Sequence, residues 1–229
     1  METATAHTSH SEVLKYKIRL ARPREQKQLN LFWHHPKFAE VYREHLIRLY
    51  YSVSASIPLL ECALSRARVL SDTCPVAAAL VPYLSEHIVE EQDHDEWLLE
   101  DIEELGIPRD KVTSQIPPTV VASLIGSQYY YIKHAHPVSV IAYLAIVEGE
   151  PPKKEALDDI ALNKGVPKKA LRTLYLHAEM DIVHSQELWT LIDDFPLLPW
   201  HTTLLGINAI LVTDQLASIM EEVLASVSS

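Results

Sequence analysis

Prolines and glycines cut this chain into segments of helical length, and that punctuation constrains its fold more than any other feature of the sequence. Residues 36–51, 54–69, 75–105, 117–134, 137–148, 154–163, 167–194 and 202–225 carry apolar side chains at helical spacing, and most of them begin at or beside a proline. Gly106, Gly149 and Gly165 follow three of these segments, where a helix is expected to end. No segment shows a sustained period-two alternation, so strands are not expected. Five glycines against fourteen prolines, with 48% hydrophobic residues, argue against collagen-like, disordered and turn-rich all-β chains. The expectation is an all-α fold, a single-domain bundle of about seven helices.

Residues 1–25 are polar, lack the continuous apolar stretch of a signal peptide and end in the basic run Arg19 to Arg24. They read as a mobile N-terminal arm, with residues 26–229 as the bundle domain. With 31 acidic and 20 basic side chains the net charge is −11, which disfavours a nucleic-acid partner. The longest apolar runs, such as Leu204 to Val212, fall short of the roughly 20 residues that a membrane span needs. Two cysteines, Cys62 and Cys74, are too few for a disulfide framework and suggest free thiols in a reducing compartment. The expected setting is cytoplasmic, with no membrane partner. The apolar last segment suits either a core or the interface of a homodimer.

Twelve histidines in so acidic a chain are the first chemical signal, because imidazole and carboxylate together form the ligand set for iron, zinc and manganese. At about 100° per residue along 75–105, His87, Glu91 and His94 fall in or beside the sector of Leu84, Ile88, Leu98 and Ile102, whereas Glu90 points towards solvent. In 167–194, His177, Asp181 and His184 lie within about 60° of one another, in the same sector as Leu174, Leu188 and Ile192. Glu148 shares a face with Ile141, Leu144 and Ala145. Any one of these residues alone reads most simply as a satisfied core or boundary group. Jointly they match what a helical bundle uses to hold two metal ions with carboxylate bridges.

The blocks Glu91-x2-His94 with Trp97, Tyr143 to Gly149, and His177-x3-Asp181-x2-His184 resemble those of the haem-oxygenase-like diiron oxidases and oxygenases. That family shares its bundle with haem oxygenase and the thiaminase-like proteins but carries a nonhaem diiron site. The resemblance spans about residues 36–194. It implies Glu91, His94, Glu148, His177, Asp181 and His184 as ligands of two ferrous ions, with dioxygen as cosubstrate and a peroxo-diferric intermediate in the family's chemistry. The family's first glutamate stands either three or seven residues before the histidine, and the seven-residue position here is His87. Glu91 is therefore the favoured ligand, with His87 as a supporting group or extra ligand.

The same resemblance implies a small-molecule substrate, an amino acid (aromatic ones included) or a related carboxylate or amine. The reactions implied are N-oxygenation, C–C scission or nitrile formation in specialised-metabolite biosynthesis. Arg43, Arg48, Lys133 and Arg172 are the candidates for a substrate carboxylate, and Tyr51 and Tyr130 for pocket walls. A medium-chain fatty-acid oxidase on the same site and a non-enzymatic iron-binding bundle stay open beside this reading. A thiaminase-like hydrolase would need a cysteine nucleophile, and neither cysteine has a recognisable setting for one. A haem oxygenase would need one proximal histidine, for which His34, His35 and His45 are available, but not the inward triplet of 177–184.

Overall fold

The computed structural model describes residues 8–150 and 152–227. Among them are twelve α-helices and one turn of 3-10 helix, more than the seven or so expected, and no strand. In chain order the helices are α1 (His10–Ala21), α2 (Pro23–Trp33), α3 (Phe38–Val53), α4 (Ser56–Leu70), α5 (Pro75–Glu90), α6 (His94–Glu104), α7 (Arg109–Thr113), α8 (Thr119–His134), α9 (Ser139–Val147), α10 (Lys154–Asn163), α11 (Arg172–Asp194) and α12 (Pro199–Val227). The 3-10 turn, Lys168–Leu171, leads into α11. Gly106 and Gly165 adopt φ of +78° and +72° just past α6 and α10, the left-handed conformation that ends a helix at little cost for glycine.

The N-terminal arm needs correction. Residues 1–7 lie outside the described residues, but Ser9 and Glu12 form a capping box that starts α1, and Leu14 and Ile18 bury one helical face. Asp193, near the end of α11, accepts the Ser11 backbone N–H at 2.8 Å and its hydroxyl at 2.7 Å. The segment is therefore a docked helix: a four-residue apolar spacing and a cap outweigh its polar composition.

The expected helix over 75–105 is also two helices. It breaks at residues 91–93, where Asp93 takes φ +68°, the one non-glycine residue with positive φ among those described. No proline or glycine marks this break. Angles counted through it therefore misplace the α5 side chains relative to those of α6, and Glu90 in particular.

Helix α12 is the hub, touching α1, α2, α3, α8 and α9. It is long and apolar enough to cross a membrane, longer than the runs read from the sequence. Its apolar side chains are used within the bundle, with Leu205, Ala209, Val212, Met220 and Val223 buried. Helix α9 is buried along nearly its whole length, from Ser139 to Ile146, which explains its unbroken apolar sequence. Helix α3 packs on α12 and α11 on α9, α6 lies against α3 and α11, and α5 lies against α4; α5, α6 and α11 carry the polar groups that face inward.

Candidate metal centre

Three helices and two helix ends bring the expected ligands together. His87 lies in the last turn of α5, Glu91 at its C-cap, His94 at the start of α6, Glu148 at the C-cap of α9, and His177, Asp181 and His184 along α11. One ligand atom each from His87, Glu91 and Glu148 lie within 4.8 Å of one another, and all three residues are buried or nearly so. Glu91 and His87 both face Glu148, so each reaches the same space. His87 Nε2 stands 3.3 Å from Glu148 Oε1, and His94 Nδ1 stands 3.2 Å from Glu91 Oε2. Within α11, His177 Nδ1 is 3.1 Å and His184 Nδ1 4.0 Å from Asp181 Oδ1. The two groups meet where the His94 and His177 rings lie 4.9 Å apart and the His87 and His184 rings 5.8 Å apart.

Polar atoms remain unsatisfied at the heart of this cluster. Both ring nitrogens of His94, Glu148 Oε2 and His184 Nδ1 are buried without a hydrogen-bond partner. His94 Nδ1 thus approaches Glu91 closely but out of line for a hydrogen bond. An orphaned buried polar atom costs about 1–3 kcal/mol, and four in one place call for something that accepts their lone pairs.

The protonation pattern points the same way. Burial opposes protonation of His87, but Glu148, Glu91 and Glu90 outweigh it and carry its pKa up to about 9. For His177 burial is likewise outweighed, by Asp181 and then Glu91 and Glu148, and its pKa rises. Burial and the neighbouring Glu91 and Asp181 push the Glu148 carboxyl up despite His87. Burial works against ionisation of Glu91, but His94, His87 and His177 hold its carboxyl below the usual range. Protons collect here because the potential is strongly negative, and bound cations would neutralise the same potential.

Several neighbours join the cluster without having been expected as site residues. Glu90, read as solvent-facing, reaches the rim of the cluster, with Oε2 3.6 Å from His87 Nδ1 and 3.7 Å from His184 Nε2. Tyr83 stacks on His87 at 5.4 Å and 12°, and Trp97 lies against His94 at 4.4 Å. Tyr143 is buried near enough to Glu148 and Glu91 to feel their charge, which with burial pushes its hydroxyl up to about 12. The signal was available: Tyr83 stands four residues before His87 and Trp97 three after His94, each on the same helical face as its partner.

Most of the candidate substrate residues are committed elsewhere. Arg48 is buried and paired with Glu44 and Glu222, and Tyr51 donates its hydroxyl to Val112 O at 2.7 Å. Arg43 donates to Leu105 O, Lys133 lies over the Tyr129 ring, and Tyr130 is an exposed side chain tilted on His134. These five are corrected to structural or surface roles. Arg172 alone is near the cluster, over the Trp97 ring at 5.9 Å while paired with Glu100.

Comparison with known proteins agrees with this picture at the level of fold and family. No curated protein matches the chain. A domain of unknown function with a haem oxygenase-like fold from Shewanella denitrificans OS217 aligns with a TM-score of 0.75 at 17% identity, over 95% of this chain and 90% of that one. A TenA homolog from Pseudomonas syringae pv. tomato strain DC3000 aligns with a TM-score of 0.74 at 15% identity, over 97% and 96%. At such identities the likeness shows the haem oxygenase-like fold and nothing of the chemistry. A family model described as iron-containing redox enzyme matches residues 43–197, a span that contains every residue of the cluster. The chain belongs to this family of iron-containing redox enzymes, built on the haem oxygenase-like helical bundle.

Proposed function

We propose that the chain is a nonhaem diiron oxidase or oxygenase that uses dioxygen on an amino acid or a related small carboxylate or amine. The observation that carries this reading is the convergence of four imidazoles and three carboxylates in one buried place, with four of their atoms lacking partners. The donor set is nitrogen and oxygen only, which suits iron or manganese. Glu91, His87 and Glu148 would hold one ion, and His177, Asp181 and His184 the other, with His94 at the junction. Iron bound there supplies the electrons that activate dioxygen.

The chain's own residues do the rest. Glu148 and Asp181, buried at the ends of the two groups, fix the imidazoles that face them. Tyr83, Trp97 and Tyr143 close the cluster with aromatic surface, which excludes water and offers an apolar wall to a substrate side chain. Arg172, resting on Trp97, is placed to exchange Glu100 for a substrate carboxylate and so set the substrate's orientation. An aromatic amino acid fits these two requirements best, and N-oxygenation, C–C scission and nitrile formation are the reaction classes proposed.

The test is anaerobic titration with ferrous iron, followed by oxygen consumption with a panel of amino acids and fatty acids. Two irons per chain and uptake that depends on an amino acid are expected, and His184→Ala should lose iron and activity. If that variant binds two irons and turns over normally, the site is misassigned. Uptake supported by fatty acids alone would replace the substrate class.

A further inference from the structure

A second cluster lies at the other end of α5. Cys74 is the residue just before that helix, His136 lies between α8 and α9, and His201 is in the first turn of α12. Ligand atoms of all three fall within 4.8 Å of one another. His87 is thirteen residues further along α5 than Cys74, about 20 Å at 1.5 Å per residue, so this cluster is separate from the metal centre. His201 also lies beyond the residues matched by the family model.

The histidine hydrogen bonds decide what this cluster can do. His136 Nδ1 accepts the Val138 backbone N–H at 3.1 Å, and His201 Nδ1 accepts that of Leu198 at 3.0 Å. A ring whose Nδ1 accepts must carry its proton on Nε2 when neutral. Burial lowers the pKa of both rings, His136 to about 4 with help from His201 and Arg66, so both are neutral. A metal would need Nε2 lone pairs, and these rings offer Nε2–H instead.

His136 Nε2 lies 3.4 Å from Cys74 Sγ and donates to it. His201 is 1% exposed, yet its Nε2 has no hydrogen-bond partner among the described residues. A buried N–H donor beside a sulfur that has already received one hydrogen bond lacks an acceptor. Trp200 covers the pair, with its ring 3.6 Å from that of His201 and 5.5 Å from that of His136. Cys74 itself is partly open to solvent, so a small reagent can reach it.

We propose that Cys74 is a site of peroxide oxidation, whose sulfenic oxygen is held by the His201 and His136 N–H donors. The sulfur attacks one oxygen of hydrogen peroxide, the O–O bond breaks and an S–O bond forms, while the thiol proton passes to the departing hydroxide, which leaves as water. Sulfur loses two electrons and peroxide gains them. The new oxygen supplies the acceptor that His201 Nε2–H lacks in the reduced protein. Cys62 is an internal control: it is also partly exposed and free, but it has no such pair of donors.

The experiment treats the full chain with hydrogen peroxide in the presence of a dimedone-type trap and reads both cysteines by mass spectrometry. Cys74 should be trapped about tenfold faster than Cys62, the scale of one or two neutral hydrogen bonds. His201→Phe should lower the Cys74 adduct several-fold with unchanged circular dichroism, and His201→Gln, which keeps an N–H donor, should restore it in part. Equal trapping of the two cysteines would overturn the proposal, as would an adduct at Cys74 that is indifferent to a folded His201→Phe, or a folded His201→Gln that traps no better than His201→Phe. Binding of one cobalt ion with a sulfur charge-transfer band lost in Cys74→Ser would overturn it too, and make the cluster a metal site.

Discussion

Replacing Asp93 by valine should weaken the fold and the metal centre together. Asp93 holds φ +68° and ψ 2° between α5 and α6, and its backbone carbonyl accepts the Trp97 N–H at 3.1 Å to start α6. It makes no capping hydrogen bond through its side chain, so the position is chosen by backbone conformation. A left-handed residue costs about 1–2 kcal/mol for most side chains, least for aspartate and asparagine and most for a β-branched one. Valine should therefore lose about 1–2 kcal/mol, which at a urea m-value of about 2–3 kcal/mol/M moves the midpoint down by roughly 0.5 M. Asp93→Asn should be neutral, and Asp93→Gly within about 1 kcal/mol either way, since relief of strain is offset by the freer unfolded chain. Glu91 and His94 flank this kink, so any relaxation of it moves one against the other. Ferrous iron affinity, measured by competition with a chromophoric chelator, should fall at least about tenfold in the valine variant. Wild-type urea midpoint and iron affinity in Asp93→Val would refute the reasoning, because the kink would then carry neither strain nor register.

Asp101 offers a pH test away from the ligands. Its buried carboxyl accepts the Thr173 N–H at 2.9 Å, and burial, opposed by the backbone hydrogen bonds of Thr173 and Arg172, lifts its pKa from 3.8 to about 6. A carboxyl raised on folding contributes its stability below the unfolded pKa and loses it as pH rises through the folded one. Relative to Asp101→Asn, the wild type should therefore lose about 1–3 kcal/mol between pH 4 and pH 6, read from paired urea midpoints. A constant difference across that range would contradict the burial argument. Gly149→Ala should cost about 1–3 kcal/mol by thermal denaturation and reduce iron stoichiometry, because an added Cβ would meet the carbonyl oxygen of Ala145 beside Glu148. Arg48→Ala should lower stability by about 1–3 kcal/mol through loss of its pairs with Glu44 and Glu222, yet leave iron stoichiometry and substrate KM unchanged. A raised KM would return Arg48 to the substrate site.

The helices were legible where their ends carry proline or glycine. Residues 154–163 form α10 as expected, and the segment from Pro167 ends at Asp194. The break at residues 91–93 was not legible, because Glu91, Gln92 and Asp93 are all acceptable inside a helix and only tertiary packing selects the kink. Helix α1 was hidden by reading its stretch for targeting signals, although Ser9 and Glu12 spell a capping box. The metal-capable residues stood out because a charged or imidazole group on an apolar face needs a reason, and that reason is readable within one helix. Arg48 shows the opposite case: its partner Glu222 lies 174 residues away, and a single helical position says nothing about it. The cluster of Cys74, His136 and His201 is invisible for the same reason, since its members are separated by more than sixty residues and sit at helix ends.

The central place of α12 bears on how the chain reaches this structure. Its partners α1, α2 and α3 are made first and α8 and α9 in mid-chain, while α12 is the last of the described helices to be synthesised. Until it emerges, α2 and α9 lack their most extensive partner, and α1 can rest only on α11 and α2. Among the described helices, docking of α12 therefore comes last in the order of synthesis, and the partly made bundle leaves apolar surface exposed until then. Chains arrested before Pro199 should be captured by chaperones, and the cluster of Cys74, His136 and His201 would be completed only when that last helix docks.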